Sequence, residues 1–505
     1  MKKKFKIIIG AVLLLLVISG VILYLNQYLK NEITQGLQNE YPASVLSYDE
    51  ISVNVLTGNA TIKNLRIKEG IFSLETREVN LKGFSYADYL KNEDITIGGI
   101  SLLDPHIIIN KSDSIIPETE QPREPAGRKI RVKQFTVSGG NFRLIENDSA
   151  ENTLYASLQN IRLGELIIDK TNEKNLLPFN FETIDIKSDS LYYEMSATHY
   201  IQVKLLNLEN EELSLEDFSI IPKYSKKVFD QNIPYEKDWI ALKIEKVNFK
   251  GLDWQKEEEQ ALFTIPSTRI ENANLQMYRN KMLRDDSRIK PLYSEMLRNL
   301  DFKLQMDEVN ISGSYIEYEE KVLKDRPAGK LSFHNVNATI RNITNRNPES
   351  PDFPTTYIEA RALFMGKTDI TLNWNFEVNN KMDEFQVHGR MGSIRADYIN
   401  PFLIPAMGVE AEGNIESLNY DFYGNRDQAK GNMQLSYRDF KVNILKDGER
   451  EKKSFLSGLA NLILKNDRLN EDIQQENISV ARDKTKSFWN YLWLCIRDGS
   501  LSTFF

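Results

Sequence analysis

Residues Ile370–Val378 read ITLNWNFEV, with an apolar side chain at every second position. Thr371, Asn373, Asn375 and Glu377 stand between the apolar residues. Successive side chains of a β-strand point to opposite faces, so strict alternation is typical of a strand that is buried on one side. The stretch therefore predicts a β-strand with one apolar and one polar face. Its apolar face consists of Ile370, Leu372, Trp374, Phe376 and Val378.

A related unit recurs along the chain: two apolar residues on alternate positions, a slip of one position, then two more. A slip of one residue turns side chains to the other face unless a bulge restores the phase. In three units a glycine (Gly139, Gly251 or Gly313) follows two positions after the last apolar residue. We predict a kinked strand, repeated along a long antiparallel sheet. The units are Ala60, Ile62, Leu65, Ile67; Ile95, Ile97, Ile100, Leu102; Ile130, Val132, Phe135, Val137; Phe179, Phe181, Ile184, Ile186; Leu242, Ile244, Val247, Phe249; and Leu304, Met306, Val309, Ile311.

Helical patterns are few. One short apolar stripe follows Pro291, a residue type that suits the first position of a helix. A second stripe lies in residues 455–463. Two Pro-rich stretches, Pro117–Pro125 and Pro348–Pro354, are predicted to be exposed loops. The helical stripes comprise Leu292, Tyr293, Met296, Leu297 and Leu300, and Phe455, Leu459, Leu462 and Ile463.

The N-terminal stretch Ile7–Leu25 carries no charge. At about 1.5 Å per residue it would be roughly 28 Å long as a helix, close to the ~30 Å hydrocarbon thickness of a bilayer. Four lysines precede it, which places the N-terminus in the cytoplasm and the rest outside. We favour an uncleaved anchor over a cleaved signal peptide, because no A-x-A site follows. The anchor residues are Ile7, Val12, Leu16, Ile22 and Leu25, and Leu29, Ile33 and Leu37 continue the helix beyond them.

Composition excludes several classes of function for the 505-residue chain. A net charge of -8 disfavours nucleic-acid binding. A single Cys excludes a disulfide framework, and the four His are not spaced as metal ligands. No P-loop, nucleophile elbow or zinc-protease motif occurs, so we expect no enzyme and no cofactor. Glu257–Glu259 reads as a solvated turn, and Asp285 and Asp286, next to Arg284 and Arg288, read as surface ion pairs.

Three stretches resemble the AsmA-like family of bacterial envelope proteins. They are ISVNVLTGNATIKNLRI (Ile51–Ile67) after the anchor, VNLKGFSYADYLKNEDITIGGISLLDPHIIIN (Val79–Asn110), and EAEGNIESLNYDFYGNRDQAKGNMQLSYRDFKVNIL (Glu410–Leu445). The middle of the chain, NISGSYIEYEE (Asn310–Glu320), is similar in style. The resemblance implies an inner-membrane-anchored periplasmic β-groove, similar to bridge-like lipid transfer proteins, that takes part in phospholipid traffic towards the outer membrane and supports its integrity.

Together these observations predict a mostly β protein: an elongated, curled antiparallel sheet forming a groove, with an N-terminal transmembrane helix and a few short helices. The expected partners are the membrane, phospholipid or another lipid, and outer-membrane or envelope proteins. The expected divisions are 1–29 (cytoplasmic stub and anchor), 30–110 (N-terminal AsmA-like β domain), 111–128 (Pro-rich linker), 129–345 (central β-groove), 346–356 (Pro-rich loop), 357–446 (C-terminal AsmA-like strands) and 447–505 (helical, aromatic-rich tail).

An open sheet with one apolar face must cover that face with a second sheet, with helices or with lipid. The groove hypothesis has acyl chains on the apolar face, and the alternative is a membrane-tethered scaffold of closed β-sandwich domains that assists envelope assembly. In the tail, Trp489, Tyr491 and Trp493 either contact a membrane or partner, or belong to a helix that plugs the sheet; Cys495 reads as a buried small hydrophobe. The groove-lining residues are expected to be Ile95, Ile97, Ile130, Val132, Leu242, Ile244, Leu304, Met306, Ile311, Ile370, Leu372, Trp374, Phe376 and Val378.

Overall fold

The computed structural model describes residues 2–40, 42–92, 94–111, 129–146, 153–169, 176–445 and 470–504. Only the backbone is described for residues 2–14, 40, 92, 444, 470–476 and 501–504. The linker Pro117–Pro125 and the apolar stripe of Phe455, Leu459, Leu462 and Ile463 therefore lie outside the described residues. Within the described residues the fold is mostly β, as predicted, with twenty-five strands.

The chain divides into two compact units. The N-terminal unit comprises Met1–Glu194 and Gln202–Leu213, and the C-terminal unit comprises Met195–Ile201 and Ser214–Phe505. The division falls inside the 129–345 range expected to form the central groove. Pro348–Pro354 lies between two strands of one unit, which agrees with its interpretation as a loop.

The N-terminal unit contains two helices, α1 (Lys2–Glu40) and α2 (Tyr86–Asn92). Its strands are β1 (Leu46–Ser47), β2 (Glu50–Asn54), β3 (Asn59–Glu69), β4 (Phe72–Phe84), β5 (Ile95–Leu103), β6 (His106–Asn110), β7 (Ile130–Ser138), β8 (Asn141–Ile145), β9 (Leu154–Ile168), β10 (Thr183–Ser196) and, after β11 (His199–Val203), β12 (Leu205–Glu209).

The C-terminal unit contains α3 (Lys226–Gln231), α4 (Tyr293–Arg298), α5 (Asn400–Phe402) and α6 (Phe488–Phe504). The helix predicted after Pro291 is α4, whereas the predicted helical tail also includes a strand, β25. The strands are β13 (Glu212–Pro222), β14 (Trp239–Lys250), β15 (Asp253–Glu257), β16 (Gln260–Asn280), β17 (Lys303–Lys321), β18 (Gly329–Thr344), β19 (Thr356–Phe364), β20 (Thr368–Phe376), β21 (Phe385–Met391), β22 (Ile394–Arg395), β23 (Val409–Gly424), β24 (Gln428–Ile444) and β25 (Asn470–Ala481).

Among the strand pairs whose register the structure describes, strand direction departs from the prediction at three pairs. Most pairs are antiparallel, but β5 pairs with β7, β6 with β8, and β16 with β17 in parallel. The parallel pairing places two predicted units side by side, since Ile95 faces Ile130 and Ile97 faces Val132. The sheet is therefore mixed. The prediction missed the parallel pairs because alternation of apolar residues sets the face of a side chain but not the direction of its strand.

The predicted kinks are present as residues with left-handed backbone. Gly139, Gly251 and Gly313 have φ values of 74°, 69° and 61°. In the C-terminal unit the kinks are aligned between neighbouring strands: Asn272, with φ 54°, lies between Asn274↔Tyr315 and Glu271↔Ser312, opposite Gly313. The Asn272 side-chain amide donates to the Glu245 carboxylate at 2.5 Å on the next strand. Kinks aligned in this way keep the apolar side chains of adjacent strands in phase.

Gly140, which ends the turn between β7 and β8, approaches a neighbouring backbone closely. Its φ is 92°, and the Asn141 N–H next to it donates to the Pro105 carbonyl at 2.8 Å. A Cβ on Gly140 would overlap that carbonyl oxygen. Gly140→Ala should therefore lower the free energy of unfolding, measured by urea titration with circular dichroism, by about 2 kcal/mol or more.

The matched control is Gly70→Ala. Gly70 also has a left-handed φ, 53°, but a Cβ there has no heavy atom within 4 Å. It should cost only about 1 kcal/mol, the ordinary penalty of a side chain in left-handed backbone. Equal losses in the two variants would show that the close approach at Pro105 has no energetic weight.

Candidate functional site

The main candidate site is an apolar surface of the N-terminal unit. Side chains that face each other across a register pair share one face of a sheet. One such row crosses eight strands and contains only Ile, Leu and Val; at about 4.8 Å per strand it is roughly 34 Å long. The row consists of Ile51, Ile62, Val79, Leu102, Val137, Ile161, Ile186 and Leu208.

Two further rows run beside the first. The second lies two residues away on each strand and the third lies beyond the kink. The second row consists of Val53, Ala60, Leu81, Ile100, Phe135, Leu163 and Ile184. The third consists of Phe84, Ile97, Val132 and Leu166. We call these three rows the N-terminal apolar face.

Burial varies across the N-terminal apolar face. Ile97, Val132, Leu163 and Leu166 form a buried cluster, and Val132 is only 2% exposed. Phe179 and Phe181, from the segment before β10, pack against this cluster. Most other members, such as Leu102, are only half-buried. A large aliphatic surface therefore remains partly open at the side chains that the structure describes.

The opposite face of the same strands is polar. Its central row runs parallel to the first apolar row and consists of Ser52, Thr61, Asn80, Ser101, Thr136, Arg162, Asp185 and Glu209. The Thr61 hydroxyl donates to the Asn80 side chain at 2.8 Å, and Arg162 pairs with Asp185 at 3.5 Å. The sheet is thus amphipathic across its whole width, with no charged residue in any of the three apolar rows.

The structure brings together four of the predicted lining residues on this face. Ile97 and Val132 belong to the third row, and Ile95 and Ile130 pack against the same cluster. The predicted lining omits every member contributed by β2, β3, β4, β9, β10 and β12, and it also omits Ile100, Leu102, Phe135 and Val137 on β5 and β7. The unit at Ala60–Ile67 gave a sequence signal for β3, whereas the apolar positions of β9 are interrupted by Gly164 and Glu165 and follow no simple alternation.

The C-terminal unit carries a second apolar surface. Two rows cross β14, β16 to β21, β23 and β24, and we call them the C-terminal track. The first consists of Val247, Ile270, Ile311, Ala338, Ala360, Leu372, Gly389, Tyr420 and Met433. The second consists of Phe249, Thr268, Val309, Ile340, Ile358, Trp374, Val387, Phe422 and Gly431.

Predicted lining residues fall at different places around the C-terminal track. Ile311 and Leu372 are members of its first row and are half-buried, as is Ile370 on β20. Leu304 pairs with Phe263. The other predicted lining residues of this unit also pair with apolar residues on neighbouring strands. Met306 pairs with Ile265 and Ile343, Leu242 with Leu275, and the buried Ile244 with Ala273.

A cavity of about 230 Å³, lined by both polar and apolar residues, opens beside Met306. Phe353 and Pro354 supply apolar contacts, whereas most of the lining is polar, including Arg346 and Asp307. The Arg346 guanidinium donates to the Glu257 carboxylate at 2.8 Å. This cavity is therefore unlike the aliphatic rows and does not extend them.

At its β20–β24 end the C-terminal track is covered by α6. The Phe488 ring stacks on Trp374 with centroids 4.2 Å apart and planes within 7°, and Tyr491 meets Phe385 edge-on at 5.8 Å. Trp374, Phe376 and Val378 are buried in this core. The prediction that these three residues line an open trough is therefore wrong, because a helix occupies the apolar face in front of them.

The three aromatic residues predicted to make distal contacts divide between the two sides of α6. Trp489 and Trp493 are 50% and 38% exposed, whereas Tyr491 is 2% exposed and faces the core. Tyr491 is thus not available to a membrane or partner in this structure. Cys495 is buried on the inner side, as predicted, and burial raises the pKa of its thiol to about 12.

An ion-pair network fixes the chain just before α6. Lys486 binds the buried Glu236 carboxylate at 2.7 Å and Asp285 at 3.5 Å, and Lys281 binds Glu236 at 2.9 Å. The two lysines hold the pKa of Glu236 below its usual value although burial opposes this. Asp285 is an ion-pairing residue, as predicted.

Asp286, by contrast, is buried rather than on the surface, and it accepts from Arg288 at 2.9 Å. Glu258 and Glu259 form the exposed turn between β15 and β16, as predicted, whereas Glu257 ends β15 and pairs with Arg346. Glu259 also pairs with Lys256. In the described part of the chain, no three His, Cys, Asp or Glu residues are grouped closely enough to hold a metal ion.

The N-terminal helix α1 continues to Glu40, as the spacing of Leu25, Leu29, Ile33 and Leu37 predicts. Leu16 is 63% exposed and Leu25 is also exposed, whereas Ile22 is half-buried. Ile7 and Val12 lie outside the described side chains. Over the side chains that are described, no helix combines the length and apolar character needed to cross a bilayer.

Comparison of the sequence with protein-family models finds no match. Comparison with curated proteins finds none either. The resemblance to the AsmA-like family therefore remains a prediction that rests on the three quoted stretches. The functional interpretation must come from the two apolar surfaces.

Proposed function

We propose that the chain binds lipid acyl chains on the N-terminal apolar face and conducts lipids along it. The supporting observation is the first apolar row, in which eight strands that pair one with the next each contribute an Ile, Leu or Val. Leaving one such side chain in water rather than burying it costs about 1.5–3 kcal/mol. Acyl chains would remove that cost, at about 0.8 kcal/mol for each methylene buried.

Such an activity needs no catalytic residue and no cofactor. A lipid headgroup can remain in water at the margin of the sheet while its acyl chains cross the strands. The rows run perpendicular to the strands, so a chain moving along a row meets the same aliphatic chemistry at every step. Conduction would then follow from continuity of the surface, and a charge placed in a row would interrupt it.

Localisation belongs to the same proposal. We infer that α1 anchors the chain in a bacterial inner membrane with the β-rich part in the periplasm, where it would move phospholipid towards the outer membrane and support its integrity. The exposed aliphatic side chains of α1 and the lysines at positions 2, 3, 4 and 6 support this arrangement.

The proposal is tested by the lipid content of the purified protein. Full-length chain extracted from bacterial membranes in mild detergent should retain phospholipid after further washing, at or above one molecule per chain by native mass spectrometry. A chain that is folded by circular dichroism yet carries no phospholipid would count against lipid conduction.

A second candidate function is a membrane-tethered scaffold for envelope or outer-membrane proteins. The observation that favours it is the closed core beneath α6, where buried aromatic and aliphatic residues fill the β20–β25 end of the C-terminal unit. A closed core is what an interaction domain requires. The lipid measurement separates the two candidates, because a scaffold needs no bound phospholipid.

A further inference from the structure

The C-terminal helix α6 is apolar on two opposite sides. Its inner side packs Phe488, Tyr491, Leu492 and Cys495 into the core. Its outer side carries the exposed Trp489 and Trp493. The two exposed indoles thus form an apolar patch that meets water on a helix whose inner side is already buried.

The inner side of α6 occupies a surface that continues the C-terminal track. Ile340 and Ile358 lead directly to Trp374 and Val387 in the same row, with no polar residue between them. The helix therefore covers a position that an acyl chain lying along the row would otherwise take. The Phe488 ring, stacked on Trp374, fills the place of such a ligand.

The attachment of α6 changes character at its start. Residues before the helix are held by polar contacts: Lys484 binds Asp427 at 2.6 Å, Lys486 binds Glu236 at 2.7 Å, and Arg482 donates to the Lys290 carbonyl. The helix itself packs through apolar side chains, and two hydrogen bonds add to them: the Trp489 indole N–H donates to the Tyr293 hydroxyl at 3.1 Å and the Tyr491 hydroxyl donates to the Asn425 carbonyl at 3.4 Å. Transfer to a bilayer would leave the polar attachment in water and would return the buried apolar area of the helix to an apolar medium.

We propose that α6 is a movable cover, which in water closes the β20–β24 end of the C-terminal track and at a lipid bilayer swings out to expose it. Trp and Tyr favour the interface between lipid and water, so the exposed indoles of Trp489 and Trp493 are the groups that first meet the bilayer. The use of the uncovered surface for acyl chains rests on the proposed function; the movement of the helix does not.

Cys495 reports the movement without any substitution, because it is the only cysteine of the chain and lies on the inner side of α6. Full-length protein, kept soluble without lipid by an amphipathic polymer that covers α1, is treated with N-ethylmaleimide before and after reconstitution into vesicles of phosphatidylethanolamine and phosphatidylglycerol. The modification rate is followed by mass spectrometry. We expect slow modification without lipid and an increase of about tenfold or more with vesicles, since the rate follows the population of the open form.

Two variants make the test specific. Trp489→Ser combined with Trp493→Ser removes both exposed indoles, and with them the ring contacts of Trp489 with Trp374 at 5.9 Å and of Trp493 with Phe402 at 6.4 Å. The readout is therefore the ratio of the Cys495 rate with vesicles to the rate without them, and this variant should show no increase in that ratio. Tyr423→Ser, at a 58% exposed aromatic residue on β23, is the matched control and should retain the increase.

Three outcomes would contradict the proposal that α6 is a movable cover. The first is an unchanged Cys495 rate in protein that floats with the vesicles. The second is an increase that persists in the double tryptophan variant. The third is an increase accompanied by loss of the β-sheet circular dichroism signal, which would mean that vesicles unfold the chain. The lipid content of the purified protein fails or succeeds independently of all three.

Discussion

Replacing Trp374 by alanine is expected to lower the free energy of unfolding by about 3–5 kcal/mol, the range for removing a large buried aromatic side chain. The indole is 6% exposed and contacts rings from three elements: Phe376 at 5.2 Å, Tyr293 at 5.3 Å and Phe488 at 4.2 Å. Its Nε1 has no hydrogen-bond partner among the described residues, so the loss comes from packing. The cavity left behind would lie between the sheet and α6.

The measurement is urea unfolding of the full-length protein in detergent, followed by circular dichroism. Tyr423→Ala is the control, because it removes a large aromatic side chain that is 58% exposed on β23. Surface substitutions usually change stability by no more than about 0.5 kcal/mol, so the control should retain nearly all of it. Equal destabilisation by the two variants would contradict the closed core beneath α6.

Placing a carboxylate in the first apolar row is expected to weaken lipid binding by about tenfold. Leu102 lies in the middle of that row, between Val79 and Val137. In Leu102→Asp, an acyl chain would lose contact with at least two methylenes at about 0.8 kcal/mol each. Each 1.4 kcal/mol corresponds to a tenfold change in affinity. Phospholipid per purified chain, counted by native mass spectrometry across a detergent wash series, gives the readout.

Ser101→Asp provides the control for charge and position. Ser101 is the preceding residue on β5 and pairs with Asn80 and Thr136 on the polar face. A carboxylate there should leave bound lipid unchanged. If Ser101→Asp depletes lipid as strongly as Leu102→Asp, the effect is one of strand stability and not of the apolar face.

Sequence periodicity predicted the apolar face better than the way strands pair. The units at Ile95–Leu102 and Ile130–Val137 were identified as equivalent, and the structure pairs them residue for residue. Their parallel direction was not predicted, because a period of two is the same in either direction. Parallel pairing also depends on a crossover through residues remote in sequence.

The kinks show a similar limit. Glycines at 139, 251 and 313 were read correctly, because glycine is the residue that adopts left-handed backbone without strain. Asn64, Asn272 and Asn335 adopt it as well. Asparagine also occurs in turns and loops, where its side chain bonds the nearby backbone, so the residue type alone does not separate a kink within a strand from an ordinary turn.

The aromatic tail contains a residue, Tyr491, whose side of the helix is predictable from its position in the sequence. The i+4 spacing of Trp489 and Trp493 predicts that both lie on one face of a helix. Tyr491 was grouped with them, although a residue two positions along a helix lies about 200° around the axis. The same rule would have assigned Tyr491 to the inner side. Which side is covered could not be deduced, since the covering strands are remote in sequence.

Photo-crosslinking tests the central claim, lipid binding on the N-terminal apolar face, most directly. Full-length protein is reconstituted with a phospholipid that carries a photoreactive group near the end of one acyl chain, and labelled residues are mapped by mass spectrometry after proteolysis. We predict labels at the half-buried members of the apolar rows, such as Val79, Leu102 and Ile161, and none in the polar row at Ser101 and Thr136. Labels confined to α1, or spread equally over both faces of the sheet, would contradict the proposed function.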